Sequence, residues 1–172
     1  MAGELDTIDQ ARSRNAGLRA TGTTSLVTSR ADPGARDAWG LLFAAWVVAL
    51  LATLGALFIG EVMGQAPCAL CWFQRAFMFP LAVTLAVASY VSDAGVWRHA
   101  LPIAAIGWLV ALYHSLLYGG AIPEGVEPCG AGPSCSSADM SILGGVPIPL
   151  LSLGAFSAII ALLLLVRRRS VP

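Results

Sequence analysis

The sequence predicts an all-α membrane protein: a four-transmembrane-helix bundle with both termini cytoplasmic. Three observations carry that expectation. Of 172 residues, 57% are hydrophobic and 12% charged, which is too apolar for a soluble domain of this length. The apolar residues gather in four runs, Ala38 to Gly60, Trp72 to Val91, His99 to Tyr118 and Val146 to Val166. Each run has about 20 residues, enough at 1.5 Å per residue to cross a hydrocarbon layer about 30 Å thick. The arginines, finally, fall on alternate connections. Arg30 and Arg36 precede the first run, Arg98 lies between the second and third, and Arg167, Arg168 and Arg169 follow the fourth. Residues 61–71 and 119–145 carry Glu61, Glu124, Glu127 and Asp139 but no Lys or Arg, so the positive-inside rule turns these two connections outward. The formal net charge is zero, and composition makes no case for nucleic acid as a partner.

Residues 1–37 mix Asp, Glu, Arg, Ser, Thr and Gly without apolar periodicity, a composition that predicts a disordered cytoplasmic tail. The tail has no short apolar core after a basic end, so no cleaved leader is expected. The bundle proper is expected over 38–167, with 168–172 as a cytoplasmic C-terminal tail. Trp39, Trp72, Tyr90, Trp97 and Tyr118 fall near span ends and suit an aromatic belt; Trp108 falls mid-span and does not. Among Asp, Glu, Lys, Arg and His, only Arg75 and His114 lie inside the four runs, with His99 at an edge.

The second run opens with Pro67-Cys68-Ala69-Leu70-Cys71-Trp72-Phe73-Gln74-Arg75. This places Cys68 and Cys71 at the cap and first turn of a helix, where unpaired amide hydrogens and the positive end of the helix dipole favour a thiolate. A Cys-X-X-Cys pair at a helix start is a common way to lower a thiol's pKa and make it an attacking or leaving group. Arg75 follows Cys71 by four residues and Cys68 by seven, hence on the same face and about 6 Å deeper. A guanidinium at that depth needs a partner, and an intramembrane ionisable residue is a functional candidate by default. Gln74 is assigned only helix packing through hydrogen bonds.

The second outer connection reads Cys129-Gly130-Ala131-Gly132-Pro133-Ser134-Cys135. Gly and Pro between these thiols permit a turn that closes the roughly 4.4–6.8 Å between alpha carbons that a disulfide needs. All four cysteines therefore fall on the outer side, where disulfides persist. After Cys135, Met140, Ile142, Leu143 and Val146 form either a short surface helix or a lead-in to the last span.

Taken together, Cys68-Ala-Leu-Cys71-Trp-Phe-Gln-Arg75, the four spans and the second cysteine pair resemble the DsbB family of disulfide bond formation proteins over about residues 38–167. The Cys-X5-Cys spacing and the run Gly144-Gly145-Val146-Pro147-Ile148-Pro149 look more like its compact BdbC-type members than the enterobacterial ones. The resemblance implies a membrane thiol:quinone oxidoreductase of the bacterial plasma (inner) membrane. Cys68 and Cys71 would then reduce a membrane quinone, ubiquinone or menaquinone, with Cys71 facing the ring and reacting as the thiolate. Arg75 matches the family's arginine beside the quinone, and His114 corresponds to a histidine near the quinone head. Cys129 and Cys135 match the pair that exchanges with a DsbA-like thioredoxin-fold oxidase. The long segment between the second pair's cysteines in enterobacterial members has no counterpart in this chain, so a partner contact made there must differ.

Two other functions fit parts of the pattern. A redox protein of the vitamin K epoxide reductase type has four spans and similar cysteine logic, but its quinone-facing pair starts a later span. A non-enzymatic tetraspan protein could use the cysteines as structural bridges, although a bridge across two residues removes little chain entropy. Zinc held by the four cysteines is disfavoured by the Cys-X5-Cys spacing and the oxidising side, so no metal is expected.

Overall fold

The computed structural model describes residues 33–122, 141–142 and 146–170. Four helices dominate them: α1 (Pro33–Leu57), α2 (Ala69–Val91), α3 (Trp97–Tyr118) and α4 (Ile148–Ser170). All four are long and apolar enough to cross a membrane, as the four runs predict. Cys129 and Cys135 lie outside the described residues, as does most of the N-terminal tail.

The helix ends differ from the sequence boundaries for local reasons. α1 begins at Pro33 rather than Ala38, because proline's fixed φ and missing N–H suit the first position of a helix. At its other end α1 widens into a π-helical turn, Phe58–Val62, closed by the Met63 N–H donating to the Phe58 carbonyl at 3.1 Å. α2 ends at Ser92, in the left-handed conformation with φ 57°. The Asp93 carboxylate then accepts from the Gly95 N–H at 2.8 Å and starts a 3-10 turn, Ala94–Val96, that leads into α3. α4 runs through Arg167, Arg168 and Arg169 to Ser170, past the expected boundary, since cations at a helix C-terminus are favoured by its dipole. Before α4, β1 (Ser141–Ile142) pairs antiparallel with β2 (Val146–Pro147), Ile142 opposite Val146. Val146 therefore precedes the last span instead of opening it, and residues 141–142 are extended, not helical.

The core is built from narrow stripes at heptad-like spacing. α1 buries Ala38, Leu42, Ala45 and Ala49. α3 buries Ala100, Ala104, Gly107, Ala111, His114 and Leu117, and α4 buries Phe156, Ile159, Leu163 and Val166. Small residues on α3 let α4 approach closely, which matters in lipid because apolar surface alone does not drive helices together. At Gly107 an added Cβ would overlap the Phe156 ring. Leu54, Val83, Val87, Tyr90 and Leu109 face outward and remain exposed, the arrangement lipid requires.

Polar links fix the helices' relative heights. The Trp39 indole donates to the Ser89 carbonyl at 2.9 Å, joining α1 to α2. The mid-span Trp108 indole donates to the Ser157 hydroxyl at 2.8 Å, joining α3 to α4. Arg169 pairs with Asp37 at 3.0 Å, and Arg167 lies 5.0 Å over the Trp97 ring. The start of α1, the start of α3 and the end of α4 are thus at one end of the bundle. The exposed Arg169 pair contributes little energy, but it marks that end as the arginine-rich one. Cys68 and Cys71, at the start of α2, lie at the opposite end.

Candidate active site

Cys68 is the N-cap of α2. Its backbone is extended, with φ −69° and ψ 169°, and its sulfur accepts from the Cys71 N–H at 3.3 Å. Sulfur thus takes the role that a Ser or Asp oxygen plays at most helix starts. Three residues on, the Cys71 sulfur lies 3.0 Å from the Cys68 sulfur, and both cysteines are free thiols. Their exposures differ: Cys68 is fully buried, whereas Cys71 is partly open.

What Cys71 opens onto is a cavity of about 620 Å³ between α1, α2 and α4, within the usual range for a small-molecule site. Apolar groups of α1 and α4, among them Leu51, Ile59 and Leu151, form most of its wall, while Cys71, Gln74 and Arg75 supply polar atoms from α2. Cys68 and His114 do not line it. The sulfur and the guanidinium share one wall, as their spacing of four along a helix predicts.

Arg75 has the partner its depth demands. Its Nη2 donates to the Ala56 carbonyl at 2.7 Å, and its guanidinium lies 5.5 Å from the Trp72 ring centroid. Gly60, in the π-helical turn, makes room for it: a Cβ there would sit 3.0 Å from Nη2 and 3.2 Å from Nη1. π-helical turns inside α-helices occur frequently at functional sites. No sequence signal marks Gly60 for this role.

His114 does not line the cavity. It is fully buried, with Nε2 3.9 Å from the Cys68 sulfur and Nδ1 3.1 Å from Gln74 Nε2. The reason lies in the helix register, which turns position 114 of α3 toward the start of α2 and away from the cavity. Gln74, read in the sequence as a packing residue, is the group that holds this imidazole. Its polarity within an apolar run, three residues after Cys71, is the signal that marks it.

The hydrogen-bond pattern also shifts attention from Cys71 to Cys68. The hydrogen bond with the Cys71 thiol draws the Cys68 thiol well below its ordinary range; burial opposes this, and His114 adds to the lowering. The cap N–H, expected to serve the pair generally, falls on Cys68. Cys68, Cys71 and His114 present three donor atoms within 4.8 Å of one another.

Comparison with known proteins points the same way. Residues 35–166 match the family "Disulfide bond formation protein DsbB". A "Probable disulfide formation protein" of Metapseudomonas resinovorans is 61% identical over 135 residues, covering 78% of this chain and 94% of that one. "Disulfide bond formation protein C" of Bacillus subtilis is 39% identical over 126 residues, covering 73% and 91%. A "Probable disulfide formation protein" of Deinococcus radiodurans is 40% identical over 137 residues, covering 74% and 89%. No solved structure matches. A family of disulfide formation implies thiol–disulfide redox chemistry and a partner that carries thiols. With the match running from the start of α1 nearly to the end of α4, the chain belongs to the DsbB family of disulfide bond formation proteins.

Proposed function

We propose that this protein is a membrane thiol:quinone oxidoreductase that reoxidises a DsbA-like thioredoxin-fold oxidase and so sustains disulfide formation outside the cytoplasm. The observation that carries the reading is the position of Cys71, whose sulfur lines an apolar cavity beside Arg75 while its partner Cys68 is walled off from it. A membrane quinone supplies an acceptor for two electrons and two protons.

The chain's own residues divide the work by position. The walls from α1 and α4 exclude water and select a lipid-soluble acceptor. Cys71 offers the sulfur within reach of that acceptor. Arg75, fixed to the Ala56 carbonyl, holds a cation where charge on an acceptor oxygen would develop, a stabilisation of the oxyanion-hole kind. Cys68 closes the bond with Cys71 as the pair is oxidised. Cys129 and Cys135 exchange with the partner's dithiol and then with Cys68 and Cys71. The arginine-rich end of the bundle belongs in the cytoplasm by the positive-inside rule, which puts the cysteine end on the periplasmic side of the inner membrane.

Anaerobic titration of the reduced, purified protein with a quinone tests this, following thiol count and quinone absorbance together. The expected result is two thiols lost for each quinone reduced, with the loss abolished in Cys71→Ser. Quinone that stays oxidised while the thiols persist would remove the reading.

A further inference from the structure

Behind the cavity wall, α2 and α3 bring Cys68, Gln74 and His114 together; of the three only Gln74 also lines the cavity. His114 is fully buried on α3, and among the described residues each of its ring nitrogens has one polar neighbour: Gln74 Nε2 at 3.1 Å from Nδ1, and the Cys68 sulfur at 3.9 Å from Nε2. Gln74 is itself buried. An amide N–H donating to Nδ1 makes that nitrogen an acceptor, and a neutral imidazole then carries its proton on the other nitrogen. The Nε2 proton has the Cys68 sulfur as its neighbour. That sulfur already accepts the Cys71 N–H at 3.3 Å and lies 3.0 Å from the Cys71 sulfur. Burial by itself favours a neutral thiol, so a fully buried sulfur surrounded by donors is arranged against that tendency.

We propose that Gln74 and His114 form a relay acting on Cys68 rather than on the electron acceptor: Gln74 holds the imidazole with its proton on Nε2, and that N–H stabilises Cys68 as the thiolate that closes the Cys68–Cys71 bond. His114 touches a reacting sulfur and is catalytic; Gln74 acts through it and is a positioning residue. The step balances. The Cys68 thiol first gives its proton to solvent; its thiolate and the Cys71 thiol then form the S–S bond with loss of the Cys71 S–H bond, and the quinone named above takes the two electrons, the Cys71 proton and one proton from solvent. The inference rests on Cys68 and Cys71 being the redox pair. Among the described residues, the titratable or charged groups around Cys68 are Cys71 from α2 and His114, Tyr113 and Tyr118 from α3, with Arg75 facing Cys71; α4 brings none to this end, and Glu61 at the end of α1 is exposed.

The test uses the full chain in detergent with Cys71→Ser, Cys129→Ser and Cys135→Ser, which leaves Cys68 as the sole thiol, and follows thiolate ultraviolet absorbance against pH. His114→Leu is expected to raise the midpoint by about one pH unit or more, a tenfold loss of thiolate at a given pH below it. Gln74→Leu is expected to raise it less, and His114→Gln, which keeps an N–H donor, to recover part of the loss. A midpoint that stays in place, or moves down, in both leucine variants overturns the relay. Should His114→Leu fail to fold, Gln74→Leu, close to the parent in volume, decides alone: an upward shift supports the relay and an unmoved midpoint overturns it. Because neither quinone nor partner is present, an unmoved midpoint leaves the quinone reading standing, and a failed quinone titration leaves the shift intact.

Discussion

Replacing Gly60 with alanine should weaken quinone use without touching the cysteines. The added Cβ would lie 3.0 Å from Arg75 Nη2 and 3.2 Å from Nη1, a few tenths of an ångström inside ordinary contact, so the guanidinium must move. Its 2.7 Å hydrogen bond to the Ala56 carbonyl then lengthens. A hydrogen bond from a charged donor contributes about 1.5–3 kcal/mol, and losing roughly half of it costs about 1 kcal/mol, or about fivefold in apparent quinone affinity. Gly60→Val should cost more, approaching Arg75→Ala. The effect cannot be put down to a weakened helix, since alanine favours a helix interior over glycine by up to about 1 kcal/mol. The assay is steady-state reoxidation of a reduced thioredoxin-fold partner with varied quinone, reading KM for quinone, alongside single-turnover exchange with the partner in the absence of quinone. An unchanged quinone KM in Gly60→Ala beside a raised one in Arg75→Ala would refute the argument that this turn positions the guanidinium.

Arg75→Ala itself should raise the apparent quinone KM by roughly 10- to 100-fold, the equivalent of one charged hydrogen bond, with partner exchange intact; slowed exchange would count against a role confined to the cavity. Cys71→Ser should abolish partner reoxidation in quinone-containing membranes, and turnover at the parental rate would leave the pair without a redox role. Gly107→Leu should lower the midpoint of thermal unfolding in detergent, because filling the space occupied by Phe156 is overpacking worth about 1–3 kcal/mol; an unmoved midpoint would contradict the close α3–α4 approach. For the reduced protein, a Cys68 value lowered from the ordinary thiol range by its hydrogen bond with Cys71 contributes stability that is present above the ordinary thiol value of about 8.5 and is lost as pH falls through the lower folded value. Melting of the reduced protein as a function of pH should therefore show a Cys68-dependent decline on acidification that Cys68→Ser abolishes.

Much of this protein is written locally. The length of an apolar run decides whether a helix can cross a bilayer, and four such runs give the bundle. The helical period of 3.6 places Arg75 below Cys71, and the Cys-X-X-Cys before an apolar run marks the cap of α2. The ends of the helices depend on contacts just as local, as the proline at the start of α1 and the arginines at the end of α4 illustrate.

What required the fold was which faces meet. In a span that is greasy all round, hydrophobicity does not distinguish the buried side from the lipid side, so nothing along the chain pairs His114 with Cys68 across 46 residues. The same holds for Gly60, which matters only because α1 happens to pass the Arg75 guanidinium, and for the cavity, whose walls come from α1, α2 and α4. Span length and helical period are properties of neighbouring residues; the placing of an imidazole on one sulfur and an open cavity on the other depends on helix packing, which only the assembled bundle decides.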